Sequence, residues 1–191
     1  MSTLSLASYN THGHGVGRWE YVNKISKLYD VILLQEHWLF DREIQSITDH
    51  VHGVHVYGVS GMNCTELIEG RPYGGCAFVW KKSLTCKISP VTFQSKRICG
   101  ILIESDDTEF FVINVYMPQD TQGANADEYH DILREISYKC QELNVDNIVI
   151  GGDFNTDISR LRSQHTQKLC PFVQDENLRS EERRVGKECR S

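Results

Sequence analysis

The sequence has no Cys-x-x-Cys pair, no unbroken apolar run longer than the five residues from Cys76 to Trp80, and no basic-then-apolar leader at its start. Each absence excludes a class. A bilayer-spanning helix needs about 18 or more apolar residues in a row, so no membrane partner is expected. A secretory signal needs an n-region and an h-region, and Met1 to Ser8 offers neither. Seven cysteines, an odd number, suit neither a disulfide framework nor a zinc ribbon. The expected chain is intracellular (nucleus or cytoplasm), reduced and not secreted. Acid is missing from one region as well. Between Gly70 and Ile103 there is no Asp or Glu, yet Arg71, Lys81, Lys82, Lys87, Lys96 and Arg97 all lie there. The formal charge of −6 excludes a uniformly basic nucleic-acid coat, but this stretch is suited to face a phosphate backbone. Lys81, Lys82 and Arg97 are its candidate substrate contacts. The competing reading makes them solvated edge and turn residues, since lysine also protects strand edges.

What is present fits one domain of 191 residues, 40% hydrophobic and 24% charged. Residues 179–191 read RSEERRVGKECRS, with Val185 the only aliphatic residue and no face to bury. They are read as a non-native tail behind a domain of residues 1–178, with the genuine reading frame expected to continue beyond Leu178.

Along residues 1–178 the pattern alternates buried strands with amphipathic helices. Leu4 to Tyr9 reads as a strand, Trp19 to Tyr29 as a helix, and Val31 to Leu34 as a strand covered on both faces. Val54 to Val59 alternates and reads as another strand. Gly75 to Trp80, Arg97 to Glu104 and Phe110 to Tyr116 form a strand-rich middle, with a turn at Asp106-Asp107. Tyr129, Ile132, Leu133, Ile136, Cys140 and Leu143 recur at helical spacing. Asn147 to Ile150 is a last buried strand, opened by Gly151-Gly152. The class is α/β or layered α+β.

Chemistry collects behind the strands. The first ends in Tyr9-Asn10, the second in Gln35-Glu36, the one from Phe110 in Asn114-Val115-Tyr116-Met117-Pro118, and the last in Gly152-Asp153-Phe154-Asn155. In α/β sheets ligands sit beyond the carboxyl ends of strands. Asp153 and Asn155, two apart in an extended chain, share a face while Phe154 turns into the core. Glu36 is a hard oxygen donor of the type that holds Mg²⁺ beside a phosphate. Taken singly, each is an ordinary turn or cap residue; the conjunction suggests one cation and one phosphate.

In order and spacing, Ser8-Tyr9-Asn10, Leu34-Gln35-Glu36, Asn114-Val115-Tyr116-Met117-Pro118 and Gly152-Asp153-Phe154-Asn155 resemble four motifs of the endonuclease/exonuclease/phosphatase superfamily, with its DNase I-like fold. Leu33 to Leu39 and Gly74 to Lys81 look most like endonuclease domains of non-LTR (LINE-type) retrotransposons. The resemblance implies a four-layer sandwich of two β-sheets flanked by helices, and Mg²⁺-dependent hydrolysis of a DNA phosphodiester, with Mn²⁺ as the alternative ion. It implies Glu36 and Asn10 at the metal and Tyr116 at the scissile phosphate. Asp153 would orient or deprotonate the attacking water, with Asn155 fixing Asp153 and the phosphate. A reverse transcriptase domain is the implied partner in the intact gene. His12 and His37 fill no motif position and are expected either to support the site residues from behind or to lie at the surface.

The family pattern closes with an Asp-His pair. The only such dipeptide here is Asp49-His50, far upstream. The chain is therefore expected to be C-terminally incomplete and impaired as an enzyme. Three alternatives stay open: an inactive fragment with weak nucleic-acid binding, a phosphatase of the same superfamily, and a dinucleotide fold. The last rests on Gly13-His14-Gly15-Val16-Gly17, but Arg18 stands where its third glycine belongs. A metal site of His50, His52 and His55 is weaker again, with no cysteine partners at zinc spacing.

Overall fold

A computed structural model of the chain describes residues 4–63, 70–105, 108–121 and 125–179. The Asp106-Asp107 turn and all of the tail after Arg179 lie outside the described residues.

Two four-stranded sheets stack face to face. The first holds β1 (Leu6–Asn10), β2 (Val31–Gln35), β4 (Cys76–Lys81) and β3 (Val54–Val59), in that order. The second holds β5 (Lys87–Val91), β6 (Ile98–Ser105), β7 (Thr108–Tyr116) and β8 (Asn147–Asp153). In each sheet one outer pair is parallel, β1 with β2 and β7 with β8, and the remaining pairs are antiparallel. The parallel pairs need crossovers, supplied by α1 (Val16–Ile25) and α3 (Ala126–Leu143). A 3-10 turn at Asp41–Ser46 runs into the short α2 (Ile47–His50), and α4 (Gln164–Asp175) follows β8.

Side-chain alternation divides the interior into three layers of packing. Val31 and Leu33 of β2 meet Cys76, Phe78, Ile101, Ile103 and Val112 between the sheets. Ile32 and Leu34 point the other way, onto Trp19, Val22 and Ile25 of α1 and Ile47 of α2. On the far side Phe111, Ile113 and Val115 of β7 receive Tyr129, Ile132, Leu133 and Ile136 of α3, with Leu169 and Phe172 of α4. Each fully buried side chain of this size contributes about 1.5–3 kcal/mol of transfer free energy. The result is helix, sheet, sheet, helix: the four-layer α/β sandwich that the resemblance implies.

Three features depart from the sequence reading. The last strand does not stop at Ile150 but continues through both glycines to Asp153, because Gly151 and Gly152 pair with Asn114 and Val115. A side chain at Gly152, whose φ is +132°, would collide with the Val115 backbone, so only glycine lets the strand lie this close. The edge strand β5 and helix α4 were not anticipated. Among the described residues no helix is long and apolar enough to cross a membrane.

The two sheets are also joined by polar atoms. Asn114 of β7 donates from Nδ2 to the carbonyls of Leu34 and Ala77 in the opposite sheet, both at 2.9 Å. Its Oδ1 accepts from Gln35 Nε2 at 2.7 Å. Gln35 and Asn114 are essentially sealed from solvent, and this satisfied network fixes how β2, β4 and β7 sit against one another.

Candidate active site

The carboxyl ends of β1, β2, β7 and β8 open at the same end of the sandwich. Parallel pairing aligns Asn10 with Gln35 and Tyr116 with Asp153, and the first and second sheets meet at β1 and β8. Asn10 closes the gap between them. Its Nδ2 donates to Glu36 Oε1 at 2.8 Å and to Asp153 Oδ2 at 3.1 Å. One amide thus bridges two carboxylates from opposite sheets.

The backbone bends sharply where these side chains leave their strands. Glu36 (φ +54°), His12 (φ +46°), Trp38 (φ +56°) and Asn155 (φ +48°) all take left-handed conformations, which for non-glycine residues carry a cost. For Glu36, a hydrogen bond from its backbone N–H to the Gly75 carbonyl (2.9 Å) holds the bend. The following residue, His37, is completely buried. Its Nδ1 accepts from the Leu39 N–H at 3.0 Å and its Nε2 lies 3.1 Å from the Val59 carbonyl. His37 is therefore an internal brace of the loop behind Glu36, the supporting place that the sequence allowed, and not a surface residue.

Glu36 is 14% exposed in its side chain, against 66% for His12, whose Nδ1 lies 3.4 Å from Glu36 Oε1. Trp38 Nε1 donates to the other carboxylate oxygen, Oε2, at 3.4 Å. Asp153 is fixed through Oδ1 by the backbone N–H of Asn155 at 3.0 Å. The Asn155 side chain donates to the Met117 carbonyl at 2.8 Å, which ties the Asp153 turn to the end of β7. Tyr116 stands alongside. Burial first, and then the negative charge of Glu36, push its phenol up to about 12, against a smaller opposing effect of Arg97. Arg97 lies over the Tyr116 ring, its Cζ 5.7 Å from the centroid, and pairs with Glu128 through Nε at 2.7 Å.

Of the sequence candidates, the structure brings Asn10, Glu36, Tyr116, Asp153 and Asn155 together, and sets Arg97 against Tyr116. It does not bring Lys81 and Lys82 there. Because β4 runs antiparallel to β2, Cys76 pairs with Gln35 at the site end and Trp80 pairs with Val31 at the other. Lys81 lies just past Trp80 and is ion-paired with Asp30 at 3.0 Å. The expected contact fails on strand direction. His50 is stacked on Trp19, and His55 lies tilted against Trp80. Sequence reading gave no role to Trp38, two residues past Glu36, whose nearness to the motif was the available signal.

The donor set suits a hard cation. One or two carboxylates with open water positions are how proteins commonly hold Mg²⁺ near a phosphate; Glu36 and Asp153 offer oxygen donors of that type, and Asn10 turns its Nδ2 to both while its Oδ1 accepts from the His12 N–H at 3.0 Å. Among the described residues no three His, Cys, Asp or Glu side chains converge as a closed metal set.

The fold is similar to that of the endonuclease domain of TRAS1, a telomere-specific non-LTR retrotransposon. The TM-score is 0.64 at 12% identity, over 91% of this chain and 71% of that one. It is also similar to an AP endonuclease from Archaeoglobus fulgidus, with TM-score 0.64 and 16% identity over 90% and 70% of the two chains. A mannosyl-6-phosphatase from Bacteroides thetaiotaomicron is a third neighbour, with TM-score 0.62 and 16% identity over 88% and 71%. No curated protein matches the sequence. Members of the endonuclease/exonuclease/phosphatase family hydrolyse phosphoesters and generally use divalent metal ions. The family model matches residues 7–169, a span that contains every residue of the cluster, and the chain belongs to the endonuclease/exonuclease/phosphatase family.

Proposed function

We propose that this chain is a divalent-cation-dependent phosphodiesterase of DNA, of the retroelement endonuclease kind, with a reverse transcriptase domain as the partner in the intact gene. The observation that carries the reading is the Asn10 amide joined to Glu36 and Asp153 across the two sheets. Glu36 and Asn10 would hold Mg²⁺, or Mn²⁺ in its place. The ion supplies Lewis-acid stabilisation of charge developing on the phosphate. Tyr116, with its proton held by the raised pKa, donates its hydroxyl to a non-bridging phosphate oxygen. Asp153, held by the Asn155 N–H, accepts the proton of the water that attacks phosphorus as the P–O bond to the leaving oxygen breaks.

No Asp-His pair follows Asn155 in the sequence. The proposal therefore includes slowed turnover, by about 10²–10⁴ if one acid/base group is lacking. The unit assigned the activity is residues 1–178, with 179–191 left outside it.

The test is nicking of supercoiled plasmid in Mg²⁺. Nicking is expected to be slow, abolished by EDTA, and absent in Glu36→Gln and Asp153→Ala. The mannosyl-6-phosphatase neighbour supports a second reading. Release of phosphate from mannose 6-phosphate with the plasmid left intact would replace the nuclease by a phosphatase. Turnover of neither substrate would leave an inactive member of the family.

A further inference from the structure

The acid-free stretch between Gly70 and Ile103 is resolved by the structure into paired and unpaired cations. Lys81 meets Asp30 at 3.0 Å, Lys87 meets Glu104 at 2.6 Å and Arg97 meets Glu128 at 2.7 Å. Lys96 Nζ donates to the Met62 carbonyl at 3.2 Å. Lys82 follows Lys81 at the end of the first sheet away from the carboxylates, its N–H bonded to the Gly53 carbonyl. Arg71 differs from all of them. It is exposed, has no carboxylate partner among the described residues, and its guanidinium lies 5.2 Å from the centroid of the Trp38 ring.

Trp38 is the same indole that donates to Glu36 Oε2. Its position is fixed from several directions. The backbone is left-handed, with the N–H bonded to the Gly74 carbonyl at 3.1 Å. Its six-membered ring lies over Gly13, where a Cβ would come within 2.6 Å of Cε3. Only a residue without a side chain leaves room for the ring in that place. The Arg71 guanidinium carbon in turn lies over that ring.

We propose that Arg71, held over the Trp38 ring, is a phosphate-contact residue that holds a nucleic-acid strand beside the Glu36–Asp153 cluster, and so selects polynucleotides over small phosphoesters. This rests on the nuclease reading above. A guanidinium held over an aromatic ring, with no carboxylate partner among the described residues, has N–H donors to offer the oxygens of a phosphate. One indole ring separates it from the Glu36 carboxylate. A strand whose scissile phosphate lies at the cluster can therefore present a neighbouring phosphate to Arg71. A small ester has no second phosphate to offer. The two arginine–aromatic pairs belong to opposite sheets: Arg71 and Trp38 to loops of the first, Arg97 and Tyr116 to the second.

The experiment is fluorescence anisotropy of the full chain with a fluorescein-labelled 20-base-pair duplex in Mg²⁺. Every sample carries Asp153→Ala so that the duplex survives, and Kd is measured across a salt series. Arg71→Ala is expected to weaken binding roughly five- to tenfold, as befits one exposed charge-assisted contact. It should also lower the slope of log K against log salt by about 0.9, the loss of one phosphate contact. Trp38→Leu should reproduce most of that weakening with Arg71 intact, and Arg71→Lys should keep the salt slope but bind less tightly. Lys27→Ala, an equal change of charge on an exposed residue just past α1, should do neither. If the Asp153→Ala chain binds the duplex and Arg71→Ala matches it in both Kd and slope, this inference alone is overturned. If that chain does not bind the duplex at all, the inference falls together with the nuclease reading.

Discussion

His37 sits between Glu36 and Trp38 with its ring sealed from water. Its Nδ1 accepts a hydrogen bond and its Nε2 donates one, so its partners specify the neutral imidazole with the proton on Nε2. The ring lies against Gly75, where a Cβ would overlap it, so it has no room to swing out and recruit water. Burial pushes its pKa down from 6.5 to about 4. The unfolded chain takes up a proton near 6.5 and the folded chain only near 4, so between those values the unfolded state binds more protons. Stability must then fall as pH falls through that window. The difference amounts to on the order of 3 kcal/mol, most of it lost by about pH 4.5. Against a typical total of roughly 5–15 kcal/mol that is a large share, and the first casualty is the loop that aims Glu36. Urea unfolding followed by tryptophan fluorescence, at several values from about pH 7 down to pH 4.5, measures it. His37→Gln serves as the reference: it starts less stable at neutral pH but has no imidazole to charge, so its curve should be flatter by close to one proton across the window. Parallel loss of stability in the two proteins would refute the reasoning.

Other outcomes follow from neighbouring contacts. Gly152→Ala puts a methyl group into the Val115 backbone at a residue with φ +132°, so thermal unfolding should show a loss of at least about 3 kcal/mol, beyond the usual range for a surface change. Asn114→Leu strips the Gln35 amide and the Leu34 and Ala77 carbonyls of a buried partner, and chemical denaturation should report about 3 kcal/mol or more of destabilisation. Tyr116 keeps its proton up to about 12, so the pH–rate profile of nicking should show no limb from it at alkaline pH. Tyr116→Phe should lower the rate on the order of 10²-fold without changing the shape of that profile; an alkaline limb lost in the variant would contradict the assignment.

The parts of the fold that were legible in sequence are those whose burial pattern is apolar and regular. Val54–Val59 alternates and is a strand over those same residues. The α3 stripe of Tyr129, Ile132, Leu133, Ile136 and Cys140 is buried as its spacing requires. Helix α4 was illegible because its buried face includes His165 and Thr166 alongside Leu169 and Phe172, and because Pro171 lies inside it. Pro90 likewise concealed β5, which accommodates a proline because it is an edge strand paired only with β6. At the site, the motif residues were legible by resemblance, but their connections were not. The bond from Gln35 to Asn114 spans 79 positions, and no local pattern encodes a partner at that distance. Lys81 and Lys82 show the same limit from the other side. Their charge is plain in the sequence, but which end of the sandwich they occupy depends on the antiparallel pairing of β4 with β2.

The Asn10 bridge has a kinetic consequence. Each parallel pair with its crossover helix is assembled from neighbours in the chain, β1-α1-β2 at one extreme and β7-α3-β8 at the other. The bond from Asn10 to Asp153 joins partners 143 positions apart. Contacts of such separation repay their loop-closure entropy only once the intervening chain is organised. The two half-sites can thus each form early, yet neither contains both carboxylates until the sheets dock. Docking of the sheets is then the step that sets the single Asn10 amide between the two carboxyl groups.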